Sequence, residues 1–329
     1  MKEENESLNL EVDKNNIMTT IKELSQETSV LGTEGEKNKS EYIKEKMENY
    51  DYNVEFQEFE AFDLGQNESK LFKSSNLEEF LTSSYINSSD NSLGTIRNVI
   101  ATSKEHNNNN KTLYIFAHYD TDSKTTGVYD NISGVSTVLE IARVLQKQSN
   151  QDFNITYIFF SGEERFRKGS RYFVSQLSES DRENILGAIN IDVVGYTGFK
   201  FKSDLEGELP EVGEPEILLA PWVKKDSLEL MLNDKFNNKY NVNIGGGAVS
   251  DDISFARLNI PTILIADSNY MTGTKIKSDS IKTQLDAVNL NIIEGLVKDI
   301  SEFIKEFDIS KFEKINLISD EEKGIYINE

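Results

Sequence analysis

Four short runs of unbroken apolar character limit what this chain can fold into. "TLYIFA" (112–117), "ITYIFF" (155–160), "AINIDVV" (188–194) and "PTILIA" (261–266) have strand length and are rich in β-branched and aromatic residues. Helical patterns separate them: Val135, Val138, Leu139, Ala142 and Leu145 after the first run, a stretch over roughly 168–178 after the second, and one over about 225–237 before the fourth. Strands that are apolar throughout must be covered on both faces, and alternation with amphipathic helices implies a largely parallel sheet. Ile293, Leu296, Val297, Ile300, Ile304 and Phe307 recur at helical spacing and mark a long closing helix. Upstream, helical patterns over 17–30 and 37–50 flank the turn "LGTEG". "NVEFQEF" (53–59) alternates as a half-buried strand, and "RNVIAT" (97–102) reads as another. The expected class is α/β, a three-layer α/β/α sandwich around a mostly parallel mixed sheet.

The remaining segments read as connections. Residues 60–96 are rich in Ser and Asn and read as an irregular excursion. "SKEHNNNNK" (103–111) reads as a hairpin-like polar loop with His106 solvated, and 205–222 reads as a Pro-containing insertion. With no internal repeat and no strong linker, one domain is expected over 17–308, after a flexible acidic tail (1–16) and before a C-terminal extension (309–329).

Composition narrows the function. The 329 residues carry a formal net charge of -22, which repels nucleic acid and anionic membrane and suits a site that gathers cations. Zero cysteines exclude disulfides, thiolate ligands and a cysteine nucleophile. The beginning "MKEENESLNLEVDKNN" has no apolar segment of signal-peptide length, and no run of about 18 apolar residues occurs. As written, the expectation is a cytoplasmic protein; a secreted chain with its signal removed would read the same.

Ligands of open α/β sheets gather at the carboxyl ends of the strands, so the polar residues at those ends carry the most weight. The first run ends in His118-Tyr119-Asp120, one of only two histidines in the chain with an acid two residues on. Period-2 geometry puts His118 and Asp120 on one side, and a metal-bound imidazole commonly has a carboxylate on its second nitrogen. The second run leads into "SGEE" with Glu163 and Glu164, and the third contains Asp192 among apolar neighbours. The loop after the first run supplies Asp130-Asn131. So many carboxylates on one rim repel each other unless a divalent cation neutralises them. Nitrogen and oxygen donors without sulfur suit Zn²⁺, with Mn²⁺ or Co²⁺ as alternatives.

The ordered set "HYD…GVYDNISG…LEIAR…FFSGEERFRKGSRYF…INIDVVG…SDDISFARLNIPT" closely resembles the M28 family of metallopeptidases, over about residues 18–305. The resemblance implies the zinc-peptidase (phosphorylase/hydrolase-like) type of α/β/α fold. It implies His118 and Asp192 on one metal, Asp130 bridging to a second, and Glu164 on that second metal. Glu163 is the implied general base, and Asp120 the residue that orients His118. The activity implied is aminopeptidase hydrolysis of peptides with a free N-terminus, with no nucleic-acid or membrane partner.

One family element is missing. Where the family places a histidine near the C-terminal end, this chain reads "TGTKIKSDSIK", with Lys275 at the aligned position, and no histidine follows His118. The family's "SDH" becomes Ser250-Asp251-Asp252. Three arrangements accommodate the loss: a substitute ligand among Asp279, Asp267 and Asp252, a single ion on His118, Asp130 and Asp192, or the Lys275 ammonium in the second position. The alternatives to a peptidase are an impaired or inactive M28-like binding protein and a single-zinc acyl transferase resembling glutaminyl cyclases. Oligomeric state and side-chain preference are not legible.

Overall fold

The computed structural model describes residues 11–83, 85, 91–146, 152–196, 216–222, 227–245, 249–268 and 281–316. Two helices open it, α1 (Lys14–Leu24) and α2 (Glu34–Asn49), each capped by a side chain: Asp13 accepts from Asn15 and Asn16, and Thr33 accepts from Glu36. Because of the Asp13 cap, the helix starts inside the stretch expected to be tail. A long antiparallel pair follows, β1 (Tyr52–Phe62) and β2 (Ser92–Ser103), in register from Tyr52 opposite Ser103 to Phe62 opposite Ser92 with one irregularity at the end. Between them lie two short helices, α3 (Gln66–Phe72) and α4 (Leu77–Thr82), where the sequence suggested only irregular chain.

The core strands are β3 (Thr112–His118), β4 (Asn154–Phe160), β5 (Ile185–Ile191) and β8 (Thr262–Asp267). They correspond to the four apolar runs. Between β5 and β8 come β6 (Glu216–Pro221), α8 (Ser227–Phe236), β7 (Asn241–Ile244) and α9 (Asp252–Ala256). The other helices are α5 (Gly134–Leu145), α6 (Lys168–Ser175), α7 (Glu179–Glu183), α10 (Ile281–Asp286), α11 (Leu290–Lys305) and α12 (Ile309–Asn316). The eight strands lie in the order β1-β2-β4-β3-β5-β8-β6-β7, with β4, β3, β5 and β8 mutually parallel and β1–β2, β2–β4 and β8–β6 antiparallel. Since β2 pairs with β4 and not with β3, the loop 103–111 is a crossover and not a hairpin. His106 on it is half-buried near Asn154, so burial pushes its pKa down, and the solvated reading is corrected.

Pleating sorts each core strand onto two helical layers. Leu113, Ile115 and Ala117 of β3, Tyr157 and Phe159 of β4, and Ile189 and Ile191 of β5 join the core on one side, together with buried residues of α1, α2, α5, α8 and α11. Phe116, Ile158, Phe160 and Ala188 point the other way, against residues of α4, α6 and α9. Full coverage explains why these strands show no polar alternation. Within α11, Ile293, Leu296, Val297, Ile300 and Ile304 are wholly buried, each contributing about 1.5–3 kcal/mol of transfer free energy.

The chain leaves β3 to form β4 on one side, then crosses back to form β5 on the other. β3 is therefore a point where the order reverses, and its carboxyl end opens on a crevice between two diverging connections. His118 is the last residue of that strand.

Candidate metal centre

His118 is completely buried, and its partners come from two connections, Asp120 and Asp130 after β3 and Asp192 after β5. Its Nδ1 lies 3.2 Å from the carbonyl oxygen of Asp120 and 3.5 Å from Asp120 Oδ1. Donation from Nδ1 to that carbonyl leaves the Nε2 lone pair pointing into the site. Nε2 stands 3.2 Å from Asp130 Oδ1 and 3.4 Å from Asp192 Oδ1, yet neither contact is aligned as a hydrogen bond. Asp192 Oδ1 is likewise buried without a hydrogen bond.

Local structure places the two carboxylates. Asp130 sits in a kinked turn, Val128–Ser133, with a cis peptide to Asn131. The Asn131 side chain ties this turn to the end of β5: its Nδ2 donates to Ile191 O, and its Oδ1 accepts from Gly134 N and Val193 N. Gly134 permits the approach, because a Cβ there would meet Asn131 Oδ1 and Ile191 O at 2.3 Å each. Asp192 follows β5 directly and its N–H donates to Ile265 O of β8.

The two glutamates come from the turn after β4. Asp120 holds this turn, its Oδ1 accepting from Glu163 N at 3.0 Å and its Oδ2 from Glu164 N at 3.2 Å. The Asp120 carboxylate thus carries the glutamate turn, while its carbonyl is the closer partner of His118. Glu163 is buried and paired with Arg167 at 2.8 Å, whereas Glu164 is exposed.

Electrostatics show a site short of positive charge. Burial alone would lower the His118 pKa, but the Asp192 charge and the nearby Asp120 and Asp130 outweigh it and lift the imidazole well above 6.5. Burial raises Glu163 well above its ordinary value. Partial desolvation of its carboxylate and then the Asp130 charge lift Glu164, exposed as the residue is overall, to about 7, and burial lifts Asp251 to about 7. Asp251 is wholly buried, and no hydrogen bond of ordinary geometry reaches either of its oxygens.

These features fit a divalent cation. His118, Asp130 and Asp192 offer donor atoms within 4.8 Å of one another, the one such group among the described residues. Ligands about 2.0–2.2 Å from a tetrahedral zinc stand roughly 3.3–3.6 Å apart, close to the separations from Nε2. Glu164 and Asp267 lie outside this group. Asp252, a candidate substitute ligand, also lies outside this group and spends its oxygens on hydrogen bonds: Oδ1 accepts from Ser250 N and Asn190 Nδ2, and Oδ2 from the Trp222 indole. Lys275 and Asp279 fall outside the described residues. Sequence reasoning missed Arg167, whose only signal is a cation closely following the Glu163-Glu164 pair, and left Asp251 without a role.

The fold and site together define an α/β protein with a buried imidazole–carboxylate cluster at the reversal point of its sheet. The sequence profile of peptidase family M28 matches residues 98–297, and the chain belongs to that family. It is 35% identical over 141 residues to Aminopeptidase YwaD of Bacillus subtilis, a match covering 41% of this chain and 31% of that protein. The match thus spans about a third of the length of that curated relative. A solved zinc aminopeptidase from Bacillus subtilis superposes with a TM-score of 0.69 at 16% identity, covering 93% of this chain and 99% of that one. A Porphyromonas gingivalis glutaminyl cyclase shares the fold as well, with a TM-score of 0.66 at 17% identity over 91% of this chain and 99% of that one.

Proposed function

We propose that this chain hydrolyses peptide bonds at free N-termini, with zinc held by His118, Asp130 and Asp192 and with Glu163 as general base. The observation that carries the proposal is the convergence of three donor atoms on one point, with the buried Nε2 of His118 lacking a hydrogen bond. Zinc bound there would supply Lewis-acid polarisation of the scissile carbonyl and of the attacking water. Glu163 accepts a proton from that water and returns it to the leaving amine, which balances protons over the cycle. Asp120 fixes the backbone of Glu163 and the tautomer of His118. Glu164, exposed in the turn that Asp120 holds, would meet an arriving α-ammonium and is a carboxylate open to a second ion.

A peptide ladder incubated with zinc-loaded protein and read by mass spectrometry tests this. Free peptides should lose residues one at a time from the N-terminus while acetylated copies stay intact. Equal cleavage of both, or cleavage within the chain, would remove the aminopeptidase assignment. The glutaminyl-cyclase fold likeness supplies a control: an N-terminal glutaminyl peptide that loses ammonia without chain shortening would favour acyl transfer.

A further inference from the structure

We infer that Arg167 is the positioning residue of Glu163, clamping that carboxylate toward the reacting water and away from the neighbouring acids. The inference rests on the functional reading above. Arg167 Nη2 lies 2.8 Å from Glu163 Oε1 and also donates to the carbonyl oxygen of Val249, immediately before Ser250-Asp251. The guanidinium carbon stands 5.5 Å from the centroid of Phe72 on α3. One cation therefore ties together the glutamate turn, the segment leading into α9 and the α3–α4 excursion.

The backbone is shaped to deliver it. Phe166 and Arg167 both have left-handed backbones, φ 62° and 58°, which non-glycine residues adopt at a cost. The turn closes by Arg167 N donating to Glu163 O at 3.0 Å and Lys168 N to Gly162 O at 2.8 Å. This conformation folds the Arg167 side chain back over Glu163, four residues earlier. A residue that only packed on Phe72 would not need that backbone, nor a carboxylate at 2.8 Å. The clamp also answers a charge problem: Asp192 and Asp251 repel the Glu163 carboxylate, His118 and Arg167 oppose them, and Arg167 is the one in ion-pair contact with it. Without it, repulsion would turn the carboxylate out of line. Arginine suits the task because one terminal nitrogen reaches both Glu163 and the Val249 carbonyl while the planar guanidinium lies over the Phe72 ring, a stacking that an ammonium on a flexible stem does poorly.

Kinetics and unfolding of wild type, Arg167→Met, Arg167→Lys, Glu163→Gln and the Arg167→Met/Glu163→Gln double variant test the inference. With zinc loaded, Arg167→Met should lower kcat about 10- to 100-fold with KM within about twofold. Arg167→Lys should recover part of that loss, and in the Glu163→Gln background Arg167→Met should change kcat no further. In thermal unfolding, which needs no activity, Arg167→Met should shift Tm less in the Glu163→Gln background than in wild type. Wild-type kcat in Arg167→Met, an equal loss in the Glu163→Gln background, or additive Tm shifts would overturn the clamp. Should zinc-loaded wild type cleave no peptide, the functional reading fails by itself, and the unfolding cycle alone decides on the Arg167–Glu163 pair.

Discussion

In the proposed zinc site His118 supplies the nitrogen donor, and the consequences of losing it are specific. Asp120→Asn keeps the backbone carbonyl that holds His118 Nδ1 and should weaken zinc binding by less than the roughly 10- to 100-fold expected when an orienting partner is lost outright. His118→Ala should weaken it more, and isothermal titration calorimetry measures both. Equal affinity in wild type and His118→Ala would place the ion elsewhere. Behind the site, Lys39 of α2 is buried, with its ammonium donating to Thr126 O at 3.2 Å. Burial pushes its pKa from 10.5 down to about 7. Between those values the unfolded chain binds more protons than the folded one, so stability rises with pH through that window. Relative to Lys39→Met, the wild type should gain Tm steadily from pH 7 to pH 10; a constant gap would contradict this. The three side chains that the structure brings together, His118, Asp130 and Asp192, were legible in sequence because each ends a strand or follows one in a connecting loop, where an acid or imidazole stands out against apolar runs. Arg167 was not legible, because its role depends on a left-handed turn and on a carbonyl 82 residues away.

At the scale of elements, the excursion between β1 and β2 is held to the molecule by buried charge. Lys168 of α6 is wholly buried and pairs with Glu68 of α3, while Arg171 donates to Phe80 O and Ser83 Oγ at the end of α4. The Phe72 ring of α3 also lies 5.8 Å from Phe166 in the glutamate turn, so this arm buttresses the site. Glu68→Ala should destabilise the fold by about 3–5 kcal/mol, since it strands a buried ammonium. Urea unfolding reads that difference, and a change within about 0.5 kcal/mol, the range of ordinary surface substitutions, would show the pair to be dispensable. The core strands and α11 could be read from periodicity, because burial on both faces or along one stripe leaves a plain pattern. The arm could not: α3 and α4 have seven and six residues, polar in large part, and tertiary ion pairs hold them in place. Nor could β6 and β7, since β6 follows a Pro-containing stretch and β7 is a four-residue edge strand with three exposed positions.

At the scale of the molecule, one sheet reversal gathers an imidazole and several carboxylates where the charge balance is already strongly negative. A bound cation relieves that excess, so zinc should stabilise the folded chain by linkage, about 2.7 kcal/mol at a hundred times its dissociation constant. Zinc-dependent gain in Tm measures it, and an unchanged Tm across a zinc titration would argue against binding to the folded state. In the proposed function, peptide hydrolysis at this site requires zinc at His118, Asp130 and Asp192. The most direct test adds zinc stepwise to chelator-stripped protein and measures bound metal and peptide hydrolysis in the same samples. Hydrolysis should be absent at the start, rise in proportion to zinc bound at the site, and stay absent throughout in His118→Ala. Hydrolysis that survives stripping, or that returns equally in His118→Ala, would contradict the account.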